Sequence, residues 1–96
     1  MSVHAEGEIK WDGQSLSVLV RVEGDIIMCI IPRDTIHGIS IYRDAIGREI
    51  ERDKADIFDR IQSHLLRKIQ SGKVDRTASI ARVYLELQDL VTEQNG

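Results

Sequence analysis

Residues 7–32, GEIKWDGQSLSVLVRVEGDIIMCIIP, contain the pattern that decides the fold. In the middle of this stretch, apolar residues alternate with mostly polar ones, a period of two that is typical of a half-buried β-strand. The apolar positions are Leu16, Val18, Val20 and Val22. We therefore expect a sheet that directs one face towards a core.

Two glycine-containing dipeptides, Asp12-Gly13 and Gly24-Asp25, divide this stretch. Glycine adopts positive φ without a Cβ clash, so each dipeptide is typical of a hairpin between antiparallel strands. The strands that this pattern predicts cover residues 7–11, 15–23 and 25–31. Pro32 is expected to end the third strand, because it has no N–H to donate to a sheet.

The third predicted strand, DIIMCII, is apolar on both faces, which indicates a central strand or one that is covered on both sides. Cys29 shares one face with Ile27 and Ile31. A free cysteine in such a run is typically a core residue, and an apolar setting raises its pKa. The alternative is a small enzyme or ligand-binding domain with a pocket near Cys29, in which His37 or His64 approaches the thiol or a carboxylate.

After the third predicted strand, the apolar residues recur at helical spacing. Residues 32–40, PRDTIHGIS, predict a turn or a single helical turn that ends near Gly38. From residue 39 onwards, apolar residues recur at intervals of three or four, which suggests a helix that Gly47 weakens by about 1 kcal/mol. Those apolar residues are Ile39, Tyr42, Ile46 and Ile50.

The clearest helix covers residues 54–70. Its apolar stripe recurs every four residues and has Phe58 beside it. The stripe consists of Ile57, Ile61, Leu65 and Ile69. Asp53 is expected to cap the first turn, and Gly72 to take the left-handed position after the last turn.

Two stretches allow alternative structures. Residues 43–70 form either one long helix or two helices with a break near Arg52, because the apolar residues on both sides share one phase. Residues 79–90 alternate as a strand would, yet they also have apolar residues at helical spacing. We favour a strand that returns to the meander, because β-branched and aromatic residues such as Val83 and Tyr84 are common in strands.

A chain of 96 residues, 42% of them hydrophobic and 30% charged, suits one domain, residues 1–96, and is too short for two. Residues 1–6 and 92–96 are expected to be frayed. The longest apolar run, residues 26–32, is far shorter than a membrane-spanning segment. With one cysteine and no apolar leader, the sequence predicts a cytoplasmic protein without a membrane segment.

The net charge is −3, but basic residues concentrate in residues 60–82. This basic segment is a candidate for contact with an anion or nucleic acid. The candidate residues are Arg67, Lys68, Lys73 and Arg76. The simpler interpretation is structural, because Arg67 and Lys68 complement the dipole at a helix end. The acidic remainder of the chain would also oppose a phosphate backbone.

The sequence contains no motif that indicates catalysis or metal binding. The motifs G-x-x-x-x-G-K-[ST], G-x-G-x-x-G and G-x-S-x-G are absent. The soft candidate ligands Cys29, His4, His37 and His64 have no spacing that is typical of a metal site. We therefore expect no catalytic residue, no cofactor and no metal.

A set of features spans most of the chain in a recognisable order. The glycine turn at Gly24 is followed by CII at residues 29–31, a helical turn around Ile36, a long helix that ends near Ile69, and a closing strand with DL at residues 89–90. In these features the chain resembles a family of small bacterial proteins called domain of unknown function fourteen eighty-eight. The resemblance implies an α+β fold with a C-terminal strand, and it implies no activity, cofactor or functional residue.

The predicted fold is an α+β domain in which a small antiparallel meander of three or four strands packs against one long amphipathic helix, with a possible C-terminal strand. We favour a non-catalytic interaction or regulatory module that has an unknown protein partner or forms a homodimer. Leu19 on the polar strand face and Leu66 outside the helix stripe suggest an interface, since clustered exposed apolar groups often mark one. Weak nucleic-acid binding by residues 60–82 is the alternative.

Overall fold

The computed structural model describes residues 3–91. Over this range the chain forms an α+β structure, as expected, with one five-stranded sheet. The strands are β1 (His4–Ala5), β2 (Lys10–Trp11), β3 (Ser15–Val22), β4 (Asp25–Pro32) and β5 (Ala81–Tyr84). The helices are α1 (Arg33–His37), α2 (Gly47–Arg52), α3 (Lys54–Gln70) and α4 (Leu87–Val91), and a 3₁₀ turn covers Ser40–Tyr42.

β3 and β4 form the centre of the sheet and pair antiparallel over their full length. β1 and β2 both pair antiparallel with the outer edge of β3. β5 pairs with the other edge of β4 and runs parallel to it, whereas we expected an antiparallel sheet. The chain reaches β5 through α2 and α3, and a helical crossover connection of this kind joins parallel strands.

The first strand predicted over residues 7–11 is confirmed at β2 and wrong over residues 7–9, and β1 forms before them. Five positions separate Ala5 from Lys10, but only three separate their partners Val20 and Ser17. The segment that pairs with the outer edge of β3 therefore contains two extra residues, and the backbone hydrogen bonds to β3 are interrupted between β1 and β2.

The expected fraying of residues 1–6 does not hold for the described part of that segment. Val3 is buried, and the N–H of Glu6 donates a hydrogen bond of 2.7 Å to the carbonyl of Leu19. Residues 1–2 and the expected frayed tail 92–96 lie outside the described residues.

The hairpin between β3 and β4 turns on Glu23 and Gly24 rather than on the predicted Gly24-Asp25, since Asp25 pairs with Val22. Glu23 and Gly24 have φ of 52° and 85°. Two consecutive residues with positive φ are the requirement of a type I′ turn, whose twist matches that of the flanking strands. The sequence located the turn correctly to within one residue.

The turn predicted at Asp12-Gly13 is confirmed. Gly13 has φ of 94°, and the Asp12 carboxylate accepts hydrogen bonds from the N–H groups of Gln14 and Ser15 at 2.8 and 2.9 Å. These hydrogen bonds to a side chain satisfy backbone N–H groups that have no backbone acceptor in a tight turn.

The helical segment begins with α1, which confirms the predicted single turn over residues 32–40. Within residues 43–70 the chain then forms two helices, α2 and α3, which meet at Asp53. The helix expected from residue 39 is wrong over residues 43–46, because α2 begins only at Gly47. Ile46 is extended there, with ψ of 166°, and its N–H donates a 2.9 Å hydrogen bond to the Glu49 carboxylate.

The two ends of α3 differ in how well the sequence predicted them. Asp53 occupies the N-cap position, but its side chain makes no capping hydrogen bond, because it accepts hydrogen bonds from Arg52 instead. At the other end Gly72 has φ of 82°. The N–H of Gly72 donates a hydrogen bond to the carbonyl of Ile69, and the N–H of Lys73 donates one to the carbonyl of Lys68. These two bonds are those of a Schellman motif, as expected for glycine at this position.

The ambiguous residues 79–90 contain both of the alternatives. β5 accounts for the strand-like alternation around Val83, and α4 begins at Leu87. The predicted return of the chain to the sheet is therefore confirmed, and of the apolar residues at helical spacing only Leu87 and Leu90 lie in the short helix that follows.

One face of the sheet forms the core with the helices. The inward residues of β3 and β4 are buried together with the stripe of α3. The buried residues of α3 are Ile57, Phe58, Ile61 and Leu65. Ile69 and Leu66 are partly buried and pack against this core, so Leu66 does not contribute to a separate surface patch.

Candidate functional site

The sheet has a second face, which points away from the helices. In β3 and β4 every second residue is buried, and the residues between them are half-buried or exposed. We define the open face as the outward residues within positions 17–21 of β3 and 26–30 of β4, together with the two residues of β5 that lie beside them on the same face. It consists of Ser17, Leu19, Arg21, Ile26, Met28, Ile30, Arg82 and Tyr84.

Strand register places the apolar residues of the open face next to one another. Leu19 lies opposite Met28, and Ile30 lies between Ser17 and Tyr84. Tyr84 is 41% exposed, and Leu19, Met28 and Ile30 are half-buried. The centre of the open face is therefore a continuous apolar surface, which is the usual property of an interaction site.

The two arginines of the open face lie near carboxylates of the same chain. Arg21 forms an ion pair of 2.9 Å with Glu6, and a terminal nitrogen of Arg82 lies 3.7 Å from the Asp75 carboxylate. Lys10 and Glu8 both line a depression of about 180 Å³ beside Leu19. The margin of the open face thus carries both signs of charge, and its two arginines lie beside carboxylates of the same chain.

Side-chain and loop contacts occupy the free edge of β5. Arg82 exchanges two backbone hydrogen bonds with Asp75, of 2.7 and 2.8 Å. The next outward carbonyl, that of Tyr84, accepts a hydrogen bond of 2.6 Å from Nζ of Lys68. An occupied edge cannot be extended by another strand, which is a common protection against edge pairing.

The four candidate anion-binding residues are in different environments. Lys68 is only 13% exposed and forms an ion pair of 2.7 Å with Asp89 in addition to its bond to Tyr84. Arg76 forms an ion pair of 3.1 Å with Asp25, the first residue of β4. Lys73 and Arg67 are exposed. The basic segment therefore includes one lysine with a clear structural role, and anion binding by the set stays a prediction.

Cys29 lies on the inner face of β4 and is fully buried. Burial raises the pKa of its thiol to about 12, which suppresses the thiolate that a nucleophile needs. His37 is occupied elsewhere: its Nδ1 lies 2.9 Å from the carbonyl oxygen of Tyr42, and its Nε2 accepts a hydrogen bond from Arg33. The geometry around Cys29 is that of a core residue.

The strongest cluster of titratable groups surrounds Tyr42. Its hydroxyl donates a hydrogen bond of 2.5 Å to Asp56 and lies 3.3 Å from Asp53. Burial, together with these carboxylates, raises the pKa of Tyr42 to about 12. Hydrogen bonds from Tyr42 and Arg60 lower the pKa of Asp56, and those from Arg52 lower the pKa of Asp53. A neutral phenol between two ionised carboxylates connects the 3₁₀ turn to α3, which is a structural role.

Within residues 3–91, no group of three or more His, Cys, Asp or Glu side chains is arranged to bind a metal ion. No helix in the same range is both long and apolar enough to cross a membrane. Comparison of the chain with protein-family models, curated proteins and solved structures returned no match.

Proposed function

We propose that the chain is a non-catalytic interaction module whose binding surface is the open face. The observation that supports this proposal is that β4 is apolar on both sides, while the core covers only one of them. Ile27 and Ile31 are buried against the helices, whereas Met28 and Ile30 are left half-buried. A strand that is buried on both faces has this composition, and a partner surface would supply the missing cover.

The chemistry of the open face defines the partner that it fits. The partner is an apolar protein surface with little net charge, because Arg21 and Arg82 of the open face already lie beside carboxylates of the same chain. Nucleic-acid binding draws its affinity from cations that neutralise phosphates. The open face offers no such set, and the basic segment 60–82 uses Lys68 to stabilise the fold.

An enzymatic function has less support than an interaction. Cys29 has no exposed surface, and the pKa values around Tyr42 favour a permanently neutral phenol at neutral pH. We further propose that the module acts in the cytoplasm, where a single thiol stays reduced. Membership of domain of unknown function fourteen eighty-eight stays a proposal, and it adds no activity to this one.

Site-specific photo-cross-linking in the producing cell tests the proposal. A photoreactive amino acid replaces Ile30 at the centre of the open face, and in a matched variant it replaces Ser63, an exposed residue on α3. We expect a discrete adduct from position 30 and none of the same size from position 63. Adducts from position 63 alone, or none from position 30, would contradict an interaction through the open face.

A further inference from the structure

We infer that the surface that covers the open face is the open face of a second copy of this chain, packed sheet against sheet in a symmetric dimer. This inference rests on the proposed function and names its partner. Three properties of the described residues support it, namely the size of the face, its charge, and the state of the two sheet edges.

The dimensions of the open face match those of a partner sheet. β3 and β4 have eight residues each, whereas β5 has four and β1 and β2 together have four. At about 3.3 Å per residue and about 4.8 Å per strand, the sheet face measures about 380 Å². Two such faces bury about 760 Å² in total, the size of a weak, transient interface. A single helix is about 10 Å in diameter and would cover β3 and β4 but leave β5 uncovered.

Charge also favours a second copy. In a two-fold dimer the same surface patch faces itself, so an excess of one sign would repel. The open face has no such excess, because Arg21 is paired with Glu6 and Arg82 lies near Asp75. A partner of opposite charge, such as an acidic protein, would gain little from cations that are already compensated.

The edges of the sheet favour face-to-face packing over a continuous intermolecular sheet. Asp75 and Lys68 occupy the free edge of β5, and the extra residues between β1 and β2 interrupt the other edge. The two-fold axis then passes near the Leu19 and Met28 pair at the centre of the open face. Sheets that pack in this way lie about 10 Å apart with their strands aligned to within about 30°.

Sedimentation equilibrium of the purified chain measures the dimer directly. We expect a dimer for the wild type, and a dissociation constant raised about tenfold or more by Met28→Lys, which would bury an unpaired charge. Ile41→Lys is the matched control, because Ile41 is an exposed apolar residue outside the open face, and it should leave the constant unchanged. If Met28→Lys unfolds, Ser17→Arg places a charge on the same face without the loss of an apolar side chain.

A chemical cross-link locates the interface. A short bifunctional maleimide should join two copies of a Leu19→Cys variant and should not join two copies of Ser63→Cys. The native Cys29 does not compete, because it is buried. A cross-linked Leu19→Cys dimer supports the face-to-face arrangement, and a cross-link at position 63 alone overturns it.

The two proposals fail in different ways. A wild type that is monomeric at every concentration, together with a photo-adduct from position 30 to a different protein, overturns the second copy and leaves the interaction function standing. A monomer without any adduct from position 30 overturns both. A photo-adduct with twice the mass of the chain supports both.

Discussion

Nζ of Lys68 donates a hydrogen bond of 2.6 Å to the backbone carbonyl of Tyr84, and this bond joins the last turn of α3 to the free edge of β5. The same ammonium group forms an ion pair of 2.7 Å with Asp89 in α4. One side chain thus connects the long helix, the parallel strand and the C-terminal helix. A residue that sequence patterns placed in a basic, anion-binding segment is therefore part of the framework that closes the sheet edge.

Replacement of Lys68 should destabilise the fold. We expect Lys68→Met to lower the free energy of unfolding by about 2 kcal/mol, because it removes the ammonium group that pairs with Asp89 and donates to the Tyr84 carbonyl. Chemical denaturation measures this change. Lys73→Met, at an exposed position, should have an effect of less than about 0.5 kcal/mol.

A double variant separates the ion pair from the packing of the lysine side chain. Lys68→Met combined with Asp89→Asn should recover part of the loss, because no carboxylate is then left without its cation and the amide oxygen can still accept the N–H of Glu86. Equal stability of Lys68→Met and the wild type would contradict a structural role for Lys68.

Cys29 should report unfolding rather than reactivity. With a pKa of about 12, only about one thiol in ten thousand is ionised at pH 8, and the side chain is inaccessible. We expect a thiol reagent to label the folded protein only as fast as the core opens, and to label the denatured protein at once. Stoichiometric labelling of the folded protein within the mixing time would show that Cys29 is exposed.

The cluster around Tyr42 should make stability depend on alkaline pH. The pKa of Tyr42 is raised to about 12 in the folded state, against about 10 in the unfolded chain. The phenol therefore contributes its full stabilisation below about pH 10, and this contribution is lost as the pH rises towards about 12.

The comparison of wild type with Tyr42→Phe isolates this effect. The difference in their free energies of unfolding should be about 1 kcal/mol at neutral pH and should shrink between about pH 10 and 12. Tyr84→Phe, which removes an exposed phenol, is the control for general alkaline effects. A difference that stays constant with pH would contradict the role of the two carboxylates.

The hairpin turn contains a residue in an unfavourable conformation. Glu23 has φ of 52°, a left-handed conformation that asparagine adopts at lower cost in type I′ turns. We expect Glu23→Asn to raise the free energy of unfolding by about 0.5–1 kcal/mol. Glu8→Asn, an exposed substitution outside the positive-φ region, should be close to neutral, and a destabilised Glu23→Asn protein would contradict the turn assignment.

The sequence predicted the elements whose signals lie within one segment. The alternation in β3, the apolar run of β4 and the stripe of α3 each depend on a single period, and each element formed at nearly the predicted position. The left-handed position of Gly72 after the last turn of α3 was equally predictable, because it depends on the φ of that one residue.

The features that the sequence did not predict depend on contacts between segments. Asp53 lost its capping role because Arg52 and Tyr42 compete for its carboxylate. The parallel direction of β5 follows from the crossover through the helices rather than from its own residues. The sequence indicated the open face only through the apolar residues on both faces of β4 and through Leu19 on the polar face of β3. Periodicity cannot tell whether a second layer of structure covers a strand.

The oxidation rate of Met28 tests most directly whether the open face is an interface between two copies of this chain. Peroxide is added to the purified protein over a range of concentrations, and peptide mass mapping separates Met28 from Met1, the other methionine. We expect the rate constant for Met28 to fall as the protein concentration rises, because association covers its sulfur, and to stay constant in the Leu19→Lys variant. A rate constant for wild-type Met28 that is the same at every protein concentration would contradict the association of two copies through the open face.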